Sequence, residues 1–98
     1  MTNLNKLYAL YDISRSSAQE ALKDLLINHL PKEYTNKVIK KLEQEGVIVD
    51  SQTIRNTKAG LIKNILIFNS IIEIAKEHKT LSNRLKKNLL KTKNETEK

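Results

Sequence analysis

Apolar positions recur at helical spacing along most of the chain, and the pattern is sharpest from Tyr34 onward. Tyr34, Val38, Ile39 and Leu42 fall on one face of a helix, and Lys37, Lys40, Lys41 and Gln44 fall on the other. Gly46 follows directly and suits the left-handed position after a helix C-terminus. Val47-Ile48-Val49 is too short for a helix and predicts an extended turn through the core. Asp50 or Ser51 can then cap a second short helix, Ser51 to Ala59, because either side chain accepts from the first free N–H groups. Ile54 is the apolar anchor of that helix, and Gly60 closes it.

The flanking segments follow the same logic. Thr2 or Asn3 caps a first short helix with Leu4, Leu7, Tyr8 and Tyr11 on one face, and Asp12-Ile13-Ser14 breaks it. Ser17-Ala18-Gln19-Glu20 has the form of a capping box. Behind it Ala18, Ala21, Leu22, Leu25, Leu26 and His29 form a stripe, and Pro31 ends the helix. After Gly60 the chain is at its most apolar, with Leu61, Ile62, Ile65, Leu66, Phe68, Ile71, Ile72 and Ala75 spread over more than one face. A helix of this kind must be buried on several sides, as the centre of the domain or as half of a dimer seam. From Thr80, Leu81, Leu85, Leu89 and Leu90 alternate with Arg84, Lys86, Lys87 and Lys91, as a basic amphipathic helix or a continuation of the previous one. The expectation is an all-α fold of about five helices around a central apolar helix. Residues 1–79 form the domain, 80–91 the basic helix and 92–98 a disordered tail.

Charge changes the picture more than length does. Residues 1–50 carry seven Lys/Arg and seven Asp/Glu, whereas residues 51–98 carry eleven and four. No acid occurs between Asp50 and Glu73 or between Glu77 and Glu95. Such an asymmetry points to a polyanion, most often nucleic acid, as the partner. The chain has no cysteine, no run of roughly 20 apolar residues and no signal-peptide layout. The expected location is the cytoplasm, without membrane contact.

The best chemistry sits on the short helix Ser51–Ala59. Arg suits guanine, Gln and Asn suit adenine, and Ser or Lys suits phosphate. Ser51, Gln52, Arg55, Asn56 and Lys58 are of those types, and Lys37, Lys41 and Lys63 are candidates for phosphate contact. The helix N-terminus at Ser51 is a further place for a phosphate oxygen. An ordinary solvated helix face would have a similar composition. Enzymatic chemistry finds little support: His29 and His78 lie far apart, Gly46 and Gly60 are the only glycines, and no metal or cofactor motif is present. No catalytic residue, metal or cofactor is expected. Tyr8, Tyr11, Tyr34 and Phe68 lie on apolar stripes and belong to the core. A homodimer through Leu61, Ile65, Phe68 and Ile72 is compatible with DNA binding, since a dimer presents two recognition helices one DNA turn apart. The alternative is a helical protein-interaction or dimerisation module whose positive charge is incidental.

Three segments also resemble a known group: Leu30-Pro31-Lys32-Glu33-Tyr34, Val49-Asp50-Ser51-Gln52-Thr53-Ile54-Arg55-Asn56, and Ile71-Ile72-Glu73-Ile74-Ala75-Lys76-Glu77-His78. Together, over about residues 30–79, they look like small bacterial and phage helix-turn-helix proteins of the phage-repressor and Cro-like superfamily. The resemblance implies a helix-turn-helix unit over about 33–60, double-stranded DNA binding and transcriptional regulation. Three departures accompany it. The Gly46–Val49 turn is longer than the tight form, Ile48 holds the usual glycine position if Ile54 takes the buried one, and Thr57 stands where a larger apolar residue is usual.

Overall fold

The computed structural model describes residues 3–96, with the side chains of 3–90. The described residues form five α-helices and no strand. Helix α1, Leu4–Leu10, begins where Asn3 Oδ1 accepts the Lys6 N–H at 3.1 Å. Its end is a sharp corner with Asp12 at φ 55°. The Tyr8 hydroxyl donates to the Gln19 carbonyl at 3.1 Å, and Gln19 Nε2 donates to the Ile13 carbonyl at 2.9 Å. These bonds pin α1 to helix α2, Ser16–Asp24.

The expected capping box does not form. The helix starts at Ser16, and its N-cap, Arg15, makes no side-chain capping bond. Ser17 therefore lies inside the first turn, and the Gln19 side chain is engaged by the corner. The buried face also starts later than the pattern predicts: Ala18 and Ala21 are exposed, while Leu22, Leu25 and Leu26 are buried. The helix widens into a π-helical segment, Leu25–His29, and stops at Leu30, whose extended backbone precedes Pro31.

Helix α3, Tyr34–Gln44, and helix α4, Ser51–Ala59, appear as the pattern predicts. Gly46, at φ 81°, lets the Val47 N–H turn back to the Leu42 carbonyl at 2.9 Å and its own N–H reach the Glu43 carbonyl at 3.0 Å. The connection then runs extended, with Val47 and Val49 half-buried against the core and Ile48 82% exposed between them. Asp50 Oδ1 accepts the Thr53 N–H at 3.3 Å and caps α4. Gly60, at φ 83°, ends it against the side chain of Lys6, 3.4 Å from where a Cβ would sit.

Helix α5, Ile65–Thr96, is central. It starts four residues later than the apolar run, because Asn64 is a better helix start than anything before it. Asn64 Oδ1 accepts the Ile67 N–H at 3.0 Å, and the Asn64 N–H donates to the Tyr11 hydroxyl at 3.0 Å. Leu61 and Ile62 are left outside the helix and exposed. Ile67, Phe68, Ile71 and Ile74 enter the core with Leu7, Leu22, Leu26, Val38, Leu42 and Ile54. The Tyr11 and Phe68 rings stack at 4.2 Å. Helix α5 passes residue 80 without a break, so the basic segment 80–91 continues the central helix. The backbone helix also takes in 92–96 of the expected tail; residues 97 and 98 lie outside the described residues. No helix among the described residues is long and apolar enough to cross a membrane.

Two carboxylates hold helix ends in place. Asp24 accepts from Asn28 Nδ2 and Lys79 Nζ, both at 2.9 Å, and lies 3.4 Å from His29 Nε2. The bonds from Asn28 and Lys79 hold its carboxyl below the usual carboxylate range, and the Thr53 bond does the same for Asp50. A carboxyl with a depressed folded-state pKa adds stability above its unfolded value and loses it as pH falls through the folded value. Thermal melts should therefore show a loss of stability below about pH 4. The double substitution Asp24→Asn and Asp50→Asn should flatten that acid limb; an unchanged limb would assign the loss to other groups.

Candidate nucleic-acid interface

Helix α4 has two unlike faces because Ile54 and Thr57, three residues apart, point the same way. Both are fully buried. The Thr57 hydroxyl donates to the Thr53 carbonyl at 2.8 Å, which satisfies this buried polar group within its own helix. The opposite face carries Gln52 and Arg55, both exposed, with Ser51 and Asn56 partly exposed beside them. Two bonds one turn long order this face. Gln52 Nε2 donates to Asn56 Oδ1 at 3.0 Å, and Arg55 Nη2 donates to Ser51 Oγ at 3.2 Å. An amide pair sharing one bond keeps an acceptor and donors for a partner, and a guanidinium keeps most of its five. The rim thus presents partly ordered donors and acceptors to solvent.

Of the remaining candidates, Lys58 and Lys41 are drawn into contacts within the fold. Lys58 turns back over Tyr34, with Nζ 5.7 Å from the ring centroid, and burial lowers its pKa. It belongs to the contact between α4 and α3, because its position on α4 flanks the buried face. Lys41 pairs with Glu77 Oε1 at 3.5 Å across α3 and α5. Lys37, though exposed, borders a small cleft with Pro31, Ile74, Glu77, His78 and Leu81. Both lysines therefore lie on the α5 side of α3. Helical periodicity puts Lys37, Lys40 and Lys41 on one polar face, but the crossing of α3 over α5 takes the edge of that face. Lys40 remains exposed. Lys63 is exposed just past Gly60, as expected for a residue that follows α4.

The N-terminus of α4 is not open to a phosphate in the way Ser51 suggested. The Asp50 carboxylate occupies it, is held in its charged form by the Thr53 bond, and would repel an anion. Sequence reasoning also missed Lys6. The aliphatic stem of its side chain lies against Gly60, at the C-terminal end of α4. Only the tertiary fold brings α1 there, so no local signal could have identified it.

The histidines and acids show no convergence. His29 pairs with Asp24, His78 is exposed, and among the described residues no group of His, Cys, Asp and Glu could hold a metal. A separate apolar groove of about 440 Å³ is lined by Tyr11, Ile13, Ile65, Leu66, Phe68 and Ile72 among others. Of the expected dimer residues, Leu61 and Ile65 are exposed, Ile72 is half-buried, and Phe68 is buried at the groove floor. Compared with family models, curated proteins and solved structures, the chain finds no match.

Proposed function

We propose that the chain binds double-stranded DNA, with α4 as a recognition helix in the major groove and transcriptional regulation as the outcome. The observation that carries this is the two-faced α4: Ile54 and Thr57 are fully buried while Gln52, Arg55 and Asn56 line the opposite side. In this scheme α3 and α4, joined by residues 45–50, act as a helix-turn-helix unit. The excess of cations in residues 51–98 supplies the long-range attraction, and the exposed Lys40, Lys63 and Lys6 are candidates for phosphate contact. Lys41 and Lys58, already engaged within the fold, contribute less.

The test is a titration of the full chain with mixed-sequence duplexes across salt. Each phosphate contact should add about −0.9 to the slope of log affinity against log salt. A protein making several contacts should lose roughly a hundredfold or more in affinity between about 50 and 200 mM salt. Binding that ignores salt, or no binding at low salt, would favour the protein-interaction module instead.

A homodimer is a second element of the proposal, favoured by the apolar residues that immediately follow α4. Leu61 and Ile65 are 64% and 67% exposed, beside the groove floored by Phe68 and bordered by Ile72. A two-fold contact there would set two α4 helices side by side. Sedimentation at micromolar concentration should show a dimer that Ile65→Asp converts to monomer; a wild-type monomer on and off DNA would remove this element.

A further inference from the structure

We infer that the exposed continuation of α5, Leu81 to Leu89, is a docking strip for an acidic amphipathic helix of a partner protein. At 100° per residue, Ile67, Ile71 and Ile74 lie within an arc of about 80° on α5. Inside the domain that arc is buried: the three residues are at most 5% exposed. The same arc continues without rotation through His78 to Leu81, Leu85 and Leu89, which are 60%, 57% and 60% exposed. The packing seam of the central helix thus runs beyond the helices that cover it. Its spacings, mostly alternating four and three, suit one further helix packed alongside.

Charge selects the occupant. Arg84 lies on one flank of the strip and Lys86 on the other, with Lys87 behind Arg84, and all three are exposed. No acid occurs between Glu77 and Glu95. A second copy of this segment would set cation against cation on both flanks in either orientation. Glu77, the nearest acid before the strip, already pairs with Lys41 of α3 at 3.5 Å. A helix with its own apolar stripe and Asp or Glu on its flanks satisfies both features. An anionic membrane fits less well: the arc is narrow, Leu90 points the opposite way, and no Trp or Phe follows Phe68. DNA would engage the cations but leave the leucines in water.

The probe is a synthetic helical peptide with Leu at heptad spacing and Glu on both flanks, labelled for fluorescence anisotropy and titrated with the full chain. The wild type should bind it at least about tenfold more tightly than the same peptide with Lys flanks. Substituting Leu81, Leu85 and Leu89 together by Ser keeps every charge and removes the stripe. A second variant, with Arg84, Lys86 and Lys87 changed to Gln, keeps the stripe and the helix-forming residues. Each should weaken binding about tenfold or more, while Arg55→Ala should leave it unchanged, so this inference stands or falls separately from DNA binding. Undiminished binding by the Ser variant would reduce the strip to bulk charge and overturn the proposal. So would a strip that instead drives self-association or adsorption to phosphatidylglycerol vesicles, with the Glu-flanked peptide unbound.

Discussion

Ile54→Ala is expected to cost about 2–5 kcal/mol of stability, the range for large-to-small substitutions at fully buried sites. Ile54 is 0% exposed and belongs to the cluster with Val38, Leu42, Ile67 and Ile71. It is the only buried apolar side chain of α4, and Thr57, the other buried residue, satisfies its own hydroxyl within the helix. Nine residues are too few for a helix to persist by propensity, so the helix exists because this side chain holds it against α3 and α5. The measurement is urea unfolding. The midpoint should fall while the slope stays near wild type. Gln52→Ala, on the opposite face, should remain within about 0.5 kcal/mol. If Ile54→Ala also cost less than that, α4 would not be anchored as described, and the presentation of its outer face would lose its basis.

Arg55→Ala should leave the fold intact and cost about 1–3 kcal/mol of discrimination at one base pair, roughly five- to 150-fold. Its guanidinium donates to the Ser51 hydroxyl on the exposed face of α4, with the Asp50 carboxylate and the Tyr34 hydroxyl within its electrostatic reach. Losing an exposed bond of this kind has little effect on folding. In a groove the same group can meet a guanine edge through two parallel bonds, which no other residue type on this face supplies. The experiment is a comparison of wild type and variant against a library of duplexes at fixed salt. Preference should relax at a single position while affinity for the other sequences changes much less. A uniform loss would make Arg55 a phosphate contact. Unchanged preference and affinity would remove α4 from the interface. Lys63→Ala offers the contrast: it should reduce the salt slope by about one and leave preference untouched.

The local order of the chain was legible because local chemistry sets it. Asn3 and Asp50 cap helices, Pro31 stops one, and Gly46 and Gly60 take the left-handed positions that close two more. Burial of Val38, Leu42 and Ile54 followed from spacing. The start of α5 did not, because the apolar run begins at Leu61 while the capping geometry belongs to Asn64. The failed capping box at Ser17 has a similar cause, since a corner made by Tyr8, Ile13 and Gln19 fixes where α2 begins.

The site divides along the same line. That Gln52, Arg55 and Asn56 share an outer face is a consequence of helical periodicity around Ile54, and the sequence alone determined it. Which lysines stand beside that face was decided only by how the helices cross. The crossing of α3 and α5 pairs Lys41 with Glu77, the contact between α4 and α3 folds Lys58 over Tyr34, and the return of α1 brings Lys6 to Gly60. Periodicity assigns a residue to a side of its own helix. It cannot say which neighbouring helix will cover the edge of that side, because the crossing is fixed by the summed packing of residues distant in the chain.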